Sequence, residues 1–292
     1  MSIIYQCPVC KQALEKVDGG FDCGQKHHYD IAKEGYVNLL LANQKRTKDP
    51  GDSKFMIEHR NYFLEQGYYD GLSKEINKII AKHLKNAGGA EVNILDAGCG
   101  EGFYLSKLKQ HAAKIASFSG ATSMKQFFGI DISKSAIQKA AKRDHEIQWC
   151  VGSTFNLPYL NQSMDFIFSI FAPFEPLEFA RVLKPHGLIL MVRPGPNHLK
   201  ELVEIIYDQS QPKEITESIF KNPSFKIVEK TEVQYQIHLK NQKDIMSLVA
   251  MTPYYWHLNK AKEALLASKK ELNTNLDFQI FLLQNDFSTT SA

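Results

Sequence analysis

From Ile94 to Phe103 the chain reads Ile-Leu-Asp-Ala-Gly-Cys-Gly-Glu-Gly-Phe, with glycines at three alternate positions directly after a short apolar run. Glycine has no Cβ, so such a segment can turn sharply and let a ligand approach the main chain. At the end of a strand and the start of a helix, it commits the chain to a strand–turn–helix unit. The flanking sequence repeats that unit. Strands are expected at residues 92–95, 127–130, 147–151, 165–170 and 188–192, and helices at about 104–115, 133–143 and 176–183, with Ser133 as an N-cap. This alternation specifies an α/β fold, an open and mostly parallel sheet with helices on both faces. Residues 233–239 and 276–282 alternate apolar with polar side chains and suit antiparallel edge strands. Apolar positions between 55 and 84 recur near helical spacing and predict two helices split near Gly67. The stretch 117–123 reads as an inserted loop.

The N-terminus carries a second motif. Cys7-Pro-Val-Cys10 is followed, after twelve residues, by Cys23-Gly-Gln-Lys-His27. Two short knuckles of thiolate and imidazole donors brought face to face satisfy tetrahedral zinc, and Asp18-Gly19-Gly20 can reverse the chain between them. His28 is the rival fourth ligand. With no open coordination position, the metal is expected to be one structural Zn2+. A segment of about 40 residues buries too little apolar surface to hold itself together, so the ion would supply folding energy.

Composition narrows the class. The 292 residues suit one large or two unequal domains, and 43% hydrophobic with 23% charged residues excludes a largely disordered chain. Thirty-five Lys and Arg against 32 Asp and Glu leave +3, which argues neither for nor against a nucleic-acid partner. Five cysteines, three of them in the metal motif, and no basic segment leading into an apolar run predict a reducing, cytoplasmic location. The expected division is a zinc-binding module at 1–40, a polar linker at 41–54 broken by Pro50-Gly51, and a catalytic domain with a helical lead-in at 55–292.

A dinucleotide-binding loop would place its third glycine at position 103, where this chain has Phe103. The Asp-x-Gly-x-Gly-x-Gly pattern instead resembles the cofactor loop of class I S-adenosylmethionine-dependent methyltransferases. Asp131, closing the next strand, can accept hydrogen bonds from both ribose hydroxyls. After the third strand stands Gly152-Ser153-Thr154, without the carboxylate usual beside the adenine.

With both motifs in one chain, the sequence resembles the bacterial 23S ribosomal RNA guanine-N1 methyltransferases. The resemblance includes Ala32-Lys-Glu-Gly-Tyr-Val-Asn-Leu-Leu40, Lys45-Arg-x-Lys-Asp-Pro-Gly-Asp-Ser53 and Arg60-x-x-Phe-Leu-x-x-Gly-x-Tyr69. It continues through Asp96-x-Gly-Cys-Gly-Glu-Gly102, Phe171-Ala-Pro173, Pro194-Gly-Pro-x-His198 and Met251-Thr-Pro253. It implies a Rossmann-like class I domain behind a zinc module, with S-adenosylmethionine held by Asp96, Gly98, Gly100, Glu101, Gly102 and Asp131. Tyr69 and His198 would close over it. Without the resemblance, Tyr69 reads as a core aromatic and His198 as a solvated loop residue.

The substrate so implied is N1 of a guanine in a domain II hairpin loop of 23S rRNA, the 745/748 region. The target base would meet a wall of Phe171, Ala172 and Pro173. Guanine N1 must lose a proton, and the nearby carboxylates are Glu175 and Glu178, either of which can simply start a helix. The Lys45-Arg46-Thr-Lys48 stretch and the zinc module are the natural RNA contacts, although residues 1–60 hold only nine basic against eight acidic residues. The resemblance also implies a homodimer. Two other readings fit parts of the sequence. One is a class I methyltransferase acting on a small molecule or protein, and the other a non-enzymatic, zinc-stabilised RNA-binding protein.

Overall fold

The computed structural model describes residues 4–45, 47–84, 91–119, 125–207 and 225–286. Three short strands, β1 (Glu15–Val17), β2 (Gly20–Asp22) and β3 (His28–Asp30), form an antiparallel sheet in the N-terminal module. A fourth strand, β4 (Tyr36–Asn38), leaves that module and joins the main sheet. Two helices follow, α1 (Lys54–Glu65) and α2 (Asp70–Leu84), parted at Gly67 as the spacing predicts. Ser53 caps α1 by accepting the Met56 N–H.

The strand–helix alternation then runs β5 (Val92–Ala97), α3 (Phe103–Ser119), β6 (Lys125–Asp131), α4 (Lys134–Arg143), β7 (Gln148–Val151), β8 (Met164–Ile170), α5 (Pro176–Val182) and β9 (Leu183–Pro194). Beyond it lie α6 (Lys200–Ile206), β10 (Phe225–Leu239), α7 (Gln242–Ala250), α8 (Lys260–Ser268) and β11 (Leu272–Asn285). Helix α3 continues to Ser119, so the first residues of the expected 117–123 loop are helical; residues 120–124 lie outside the described residues. Among the described residues, no helix is long and apolar enough to cross a membrane.

The eight strands of the main sheet lie in the order β10-β11-β9-β8-β5-β6-β7-β4. Strands β4 to β9 are parallel, and β11 pairs antiparallel with both β9 and β10. Successive side chains of a strand point to opposite faces. Accordingly Ile94 packs with residues of α1 to α4 and α6 to α8, whereas Leu95 and Ala97 pack with α5 and the zinc module.

The module is bound to that second face by ring contacts, main-chain hydrogen bonds and strand pairing. The Tyr5 ring stacks on Tyr159 at 5.3 Å and meets Phe21 and Phe128 edge-on at 5.2 and 6.4 Å. Main-chain hydrogen bonds run from Gln6 N–H to the Pro158 carbonyl and from Leu160 N–H to the Ile4 carbonyl. Strand β4 pairs with β7 through Tyr36↔Trp149, Val37↔Cys150 and Asn38↔Val151. The N-terminal module thus leads into an edge strand of the main sheet.

Candidate active site and zinc centre

Cys7, Cys10, Cys23 and His27 converge with all their donor atoms within 4.8 Å of one another. The Cys10 and Cys23 sulfurs are 3.5 Å apart, and His27 Nδ1 lies 3.3 Å from Cys23 Sγ and 3.7 Å from Cys7 Sγ. A tetrahedron with bonds of about 2.3 Å to sulfur and about 2.0 Å to nitrogen places neighbouring donors about 3.5–3.8 Å apart, so the set fits zinc. The knuckles turn through left-handed residues, Lys11 after the first pair and Gly24 and Lys26 inside the second. Desolvation pushes the Cys7 thiol up, but hydrogen bonds from the Cys10 N–H, the Tyr29 hydroxyl and the Val9 N–H outweigh it and bring it down to about 7. His28 is not a ligand: its ring nitrogens face the Asp22 and Asp30 carboxylates at 3.9 and 3.3 Å.

The glycine loop sits at the carboxyl ends of β5 and β6, at the middle of the sheet, where open α/β folds bind ligands. Gly98 has φ +86, and a Cβ there would lie 2.3 Å from the Ala172 Cβ. At Gly100 (φ +54) a Cβ would lie 2.7 Å from the Arg60 guanidinium. Side chains at either position would fill the space above the loop. Asp131 fixes the loop by accepting Gly100 N–H on Oδ2 at 2.9 Å and Ser133 N–H on Oδ1 at 2.8 Å. Burial raises its pKa, and the two N–H donors and Arg60 oppose that rise. Asp96 lies buried beneath; burial first, then the charges of Asp131 and Glu101, push its pKa well up.

The sequence assigns no role to the cation that balances these carboxylates. Glu101 is 2% exposed, and Arg60 on α1 donates Nε–H to it at 2.8 Å while its Nη1 pairs with Asp52. The end of segment 41–54, expected as a linker, is docked on the site: Gly51 lies against Ile132 and Ser133, and the Asp52 carbonyl accepts the Ser133 hydroxyl. Arg46 lies outside the described residues, and the chain leaves this segment into α1. A second arginine, Arg143 on α4, donates to the Glu101 carbonyl at 3.1 Å and reaches Asn61 and Glu65 on α1. Both arginines sit in helices among apolar neighbours such as Phe63 and Ala140, a pattern that marks an inward-facing charge.

Tyr69 and His198, implied only by the resemblance, do meet. The Tyr69 hydroxyl stands 3.5 Å from His198 Nε2, and His198 Nδ1 accepts the Asp277 N–H at 3.3 Å. With Nδ1 accepting, the neutral ring carries its proton on Nε2, facing the tyrosine. Burial pushes the imidazole down to about 4. A histidine whose folded pKa lies below its ordinary value stabilises the protein above about pH 6.5 and loses that contribution as pH falls toward 4. Titration of the His198 ring by NMR should therefore show a midpoint near 4, with His198→Gln removing about 2 kcal/mol of the stability lost between pH 7 and 5. A midpoint near 6.5 would contradict the burial.

The wall expected for a target base also takes shape here. Phe171 is 42% exposed with φ +54, a left-handed conformation that costs energy for a bulky residue and is typical of functional sites. Its ring stacks with His198 at 6.3 Å. The Ala172 carbonyl is already engaged, accepting Arg193 Nη1 at 2.7 Å and the Ser169 hydroxyl at 3.5 Å, so it is not free for a base edge. Glu178 accepts Leu157 N–H at 2.7 Å and pairs with Arg181, which holds the loop after β7. Among the described residues the Glu175 side chain makes no hydrogen bond or ion pair, and it offers none to cap α5.

The sheet order and the glycine loop above Asp96, held by Asp131, define a class I methyltransferase whose cofactor is S-adenosylmethionine. Residues 89–251 match the family profile described as methyltransferase domain, and residues 5–48 match that described as RlmA, N-terminal, a zinc ribbon. The chain belongs to the methyltransferase domain family, with a zinc ribbon at its N-terminus. It is 28% identical over 286 residues, 96% of each chain, to a Bacillus subtilis protein named as a candidate 23S rRNA (guanine-N1)-methyltransferase, YxjB. A Streptomyces fradiae 23S rRNA (guanine(748)-N1)-methyltransferase is 28% identical, covering 86% of this chain and 85% of its own. A Micromonospora griseorubida relative, also named as a candidate 23S rRNA (guanine-N1)-methyltransferase, is 29% identical over 88% of both chains.

Proposed function

We propose that this protein transfers the methyl group of S-adenosylmethionine to N1 of a guanine in 23S rRNA, in the domain II hairpin loop around positions 745 and 748. The observation that carries the reading is one continuous structure, in which the strand that leaves a zinc ribbon joins the sheet that bears the glycine loop. Relatives named for this reaction match over nearly the whole chain, ribbon included. When bound, S-adenosylmethionine supplies an already activated methyl group, so positioning of the base accounts for much of the rate. Gly98, Gly100 and Gly102 keep the loop low, Asp131 receives the ribose, and Tyr69 and His198 close the methionine end. Phe171 offers an exposed face on which an unstacked guanine can lie. Of the two nearby carboxylates, Glu175 is the one whose side chain is free to take the N1 proton.

In this reading the ribbon and the Lys45–Lys48 stretch carry the RNA, the enzyme works in the cytoplasm, and two chains pair with their ribbons lining a common cleft. Labelled methyl transfer to 23S rRNA lacking the modification tests the reaction. Reverse transcription of the product should stop at one guanine of the domain II hairpin, since N1 methylation blocks pairing. Folded enzyme that binds S-adenosylmethionine yet leaves that RNA unlabelled would exclude it.

A further inference from the structure

On the same sheet edge as Phe171, an open cleft of about 340 Å³ lies where β9 ends and the β10–β11 hairpin continues. The pairs Gln234↔Asp277 and Gln236↔Asn275 line it, with Asn197 from the turn after β9. Four of these side chains are amides. The fifth, Asp277, is 2% exposed. Its Oδ2 accepts Asn197 N–H at 2.9 Å, whereas its buried Oδ1 has no partner among the described residues.

A buried carboxylate oxygen without a donor is unfavourable, so the arrangement is incomplete until something donates to it. Among the described residues no lysine or arginine lines the cleft, which argues against an anionic ligand. What fits is a ligand with adjacent N–H donors for Asp277 and acceptors for the surrounding amides. Guanine has that pattern: N1–H and the N2 amino group on one edge, O6 and N7 beside them. The cleft is large enough for one purine. It is tied to the target wall through His198, whose Nδ1 accepts the Asp277 N–H at 3.3 Å and whose ring stacks with Phe171 at 6.3 Å.

We propose that this cleft is a guanine-recognition subsite, in which Asp277 accepts the donor edge of an unstacked guanine and the Gln234 and Gln236 amides meet its acceptors, while Asn275 is held by Glu201. The proposal rests on the rRNA methyltransferase reading. The guanine is either the methylated one or a loop neighbour, and the experiment separates the two.

The experiment measures methyl transfer to synthetic hairpins in which each loop guanine is replaced in turn by inosine, which lacks the N2 amino group. With wild-type enzyme, inosine at one position should raise the RNA KM about 10-fold, as loss of part of a bidentate base contact does. Asp277→Asn should abolish most of that discrimination while binding S-adenosylmethionine within about 2-fold of wild type. If the sensitive position is the methylated one, the cleft holds the target; if it is another, the cleft holds a neighbour. Gln234→Leu combined with Gln236→Leu, both at exposed positions, must weaken the same discrimination, which keeps the test valid should Asp277→Asn misfold. Equal losses on guanine and inosine RNAs, or no sensitive position at all, would make Asp277 merely structural and overturn the proposal. Wild-type enzyme that transfers no methyl to any hairpin would instead remove the reading on which it rests.

Discussion

Cys23→Ser yields protein with less than about 0.1 zinc per chain, where the wild type carries about one, and it unfolds in two steps instead of one. The first step, at lower temperature, is release of the N-terminal module. Tyr5, Leu14 and Phe21 are all buried, and each loses about 1.5–3 kcal/mol of burial when the module opens. Because β4 pairs with β7 and Leu39 donates to the Val151 carbonyl, opening also frays the sheet beside the cofactor loop. Elemental analysis and calorimetry read the two effects, and limited proteolysis should cut first within residues 1–40. A zinc-free variant with an ordered N-terminus and a single transition would show that the aromatic interface, not the metal, holds the module.

The second large effect belongs to Arg60. Removing one partner of a buried ion pair leaves the other charged and desolvated, which costs about 3–5 kcal/mol. Arg60→Met strands Glu101, 2% exposed, and releases Asp52. The variant should melt about 8 °C lower. It should also bind S-adenosylmethionine at least about 10-fold more weakly, because Glu101 and the docked segment 51–53 then lose their position beside the loop. Adding Glu101→Gln should recover part of the stability but not the affinity. Unchanged calorimetric affinity in Arg60→Met would separate the ion pair from the cofactor site.

The elements that the sequence makes legible are those whose signals are local. Three alternate glycines after Ile94, Ser133 before an amphipathic run, and Cys7-x-x-Cys10 each state their structure within a few residues. Strand β4 escapes such reading. Its three residues sit among cysteine-module turns, and their partner, β7, lies more than a hundred positions away. Arg60 stands in a motif quoted for the resemblance, yet its role follows only from Glu101, 41 residues later, being buried beside it. Asp277 is hidden by the alternation that identifies β11, in which a polar residue between Leu276 and Phe278 reads as the solvent-facing side. Glu178 fails in the opposite sense. It looks free in the sequence and is held by Arg181 and the Leu157 N–H in the fold.

The pairing of β4 with β7 carries a consequence for how the chain is made. Synthesis runs from the N-terminus, so the zinc ribbon exists before the strand it must join. Until residues 148–151 emerge, β4 has no partner, and if the ribbon is lost later, β7 becomes an open edge that bears the buried residues Trp149, Cys150 and Val151. Unpaired apolar edges recruit other chains. The ribbon therefore acts as a chain-intrinsic guard against edge-to-edge association, and zinc starvation should be felt first as insoluble protein rather than as slow catalysis.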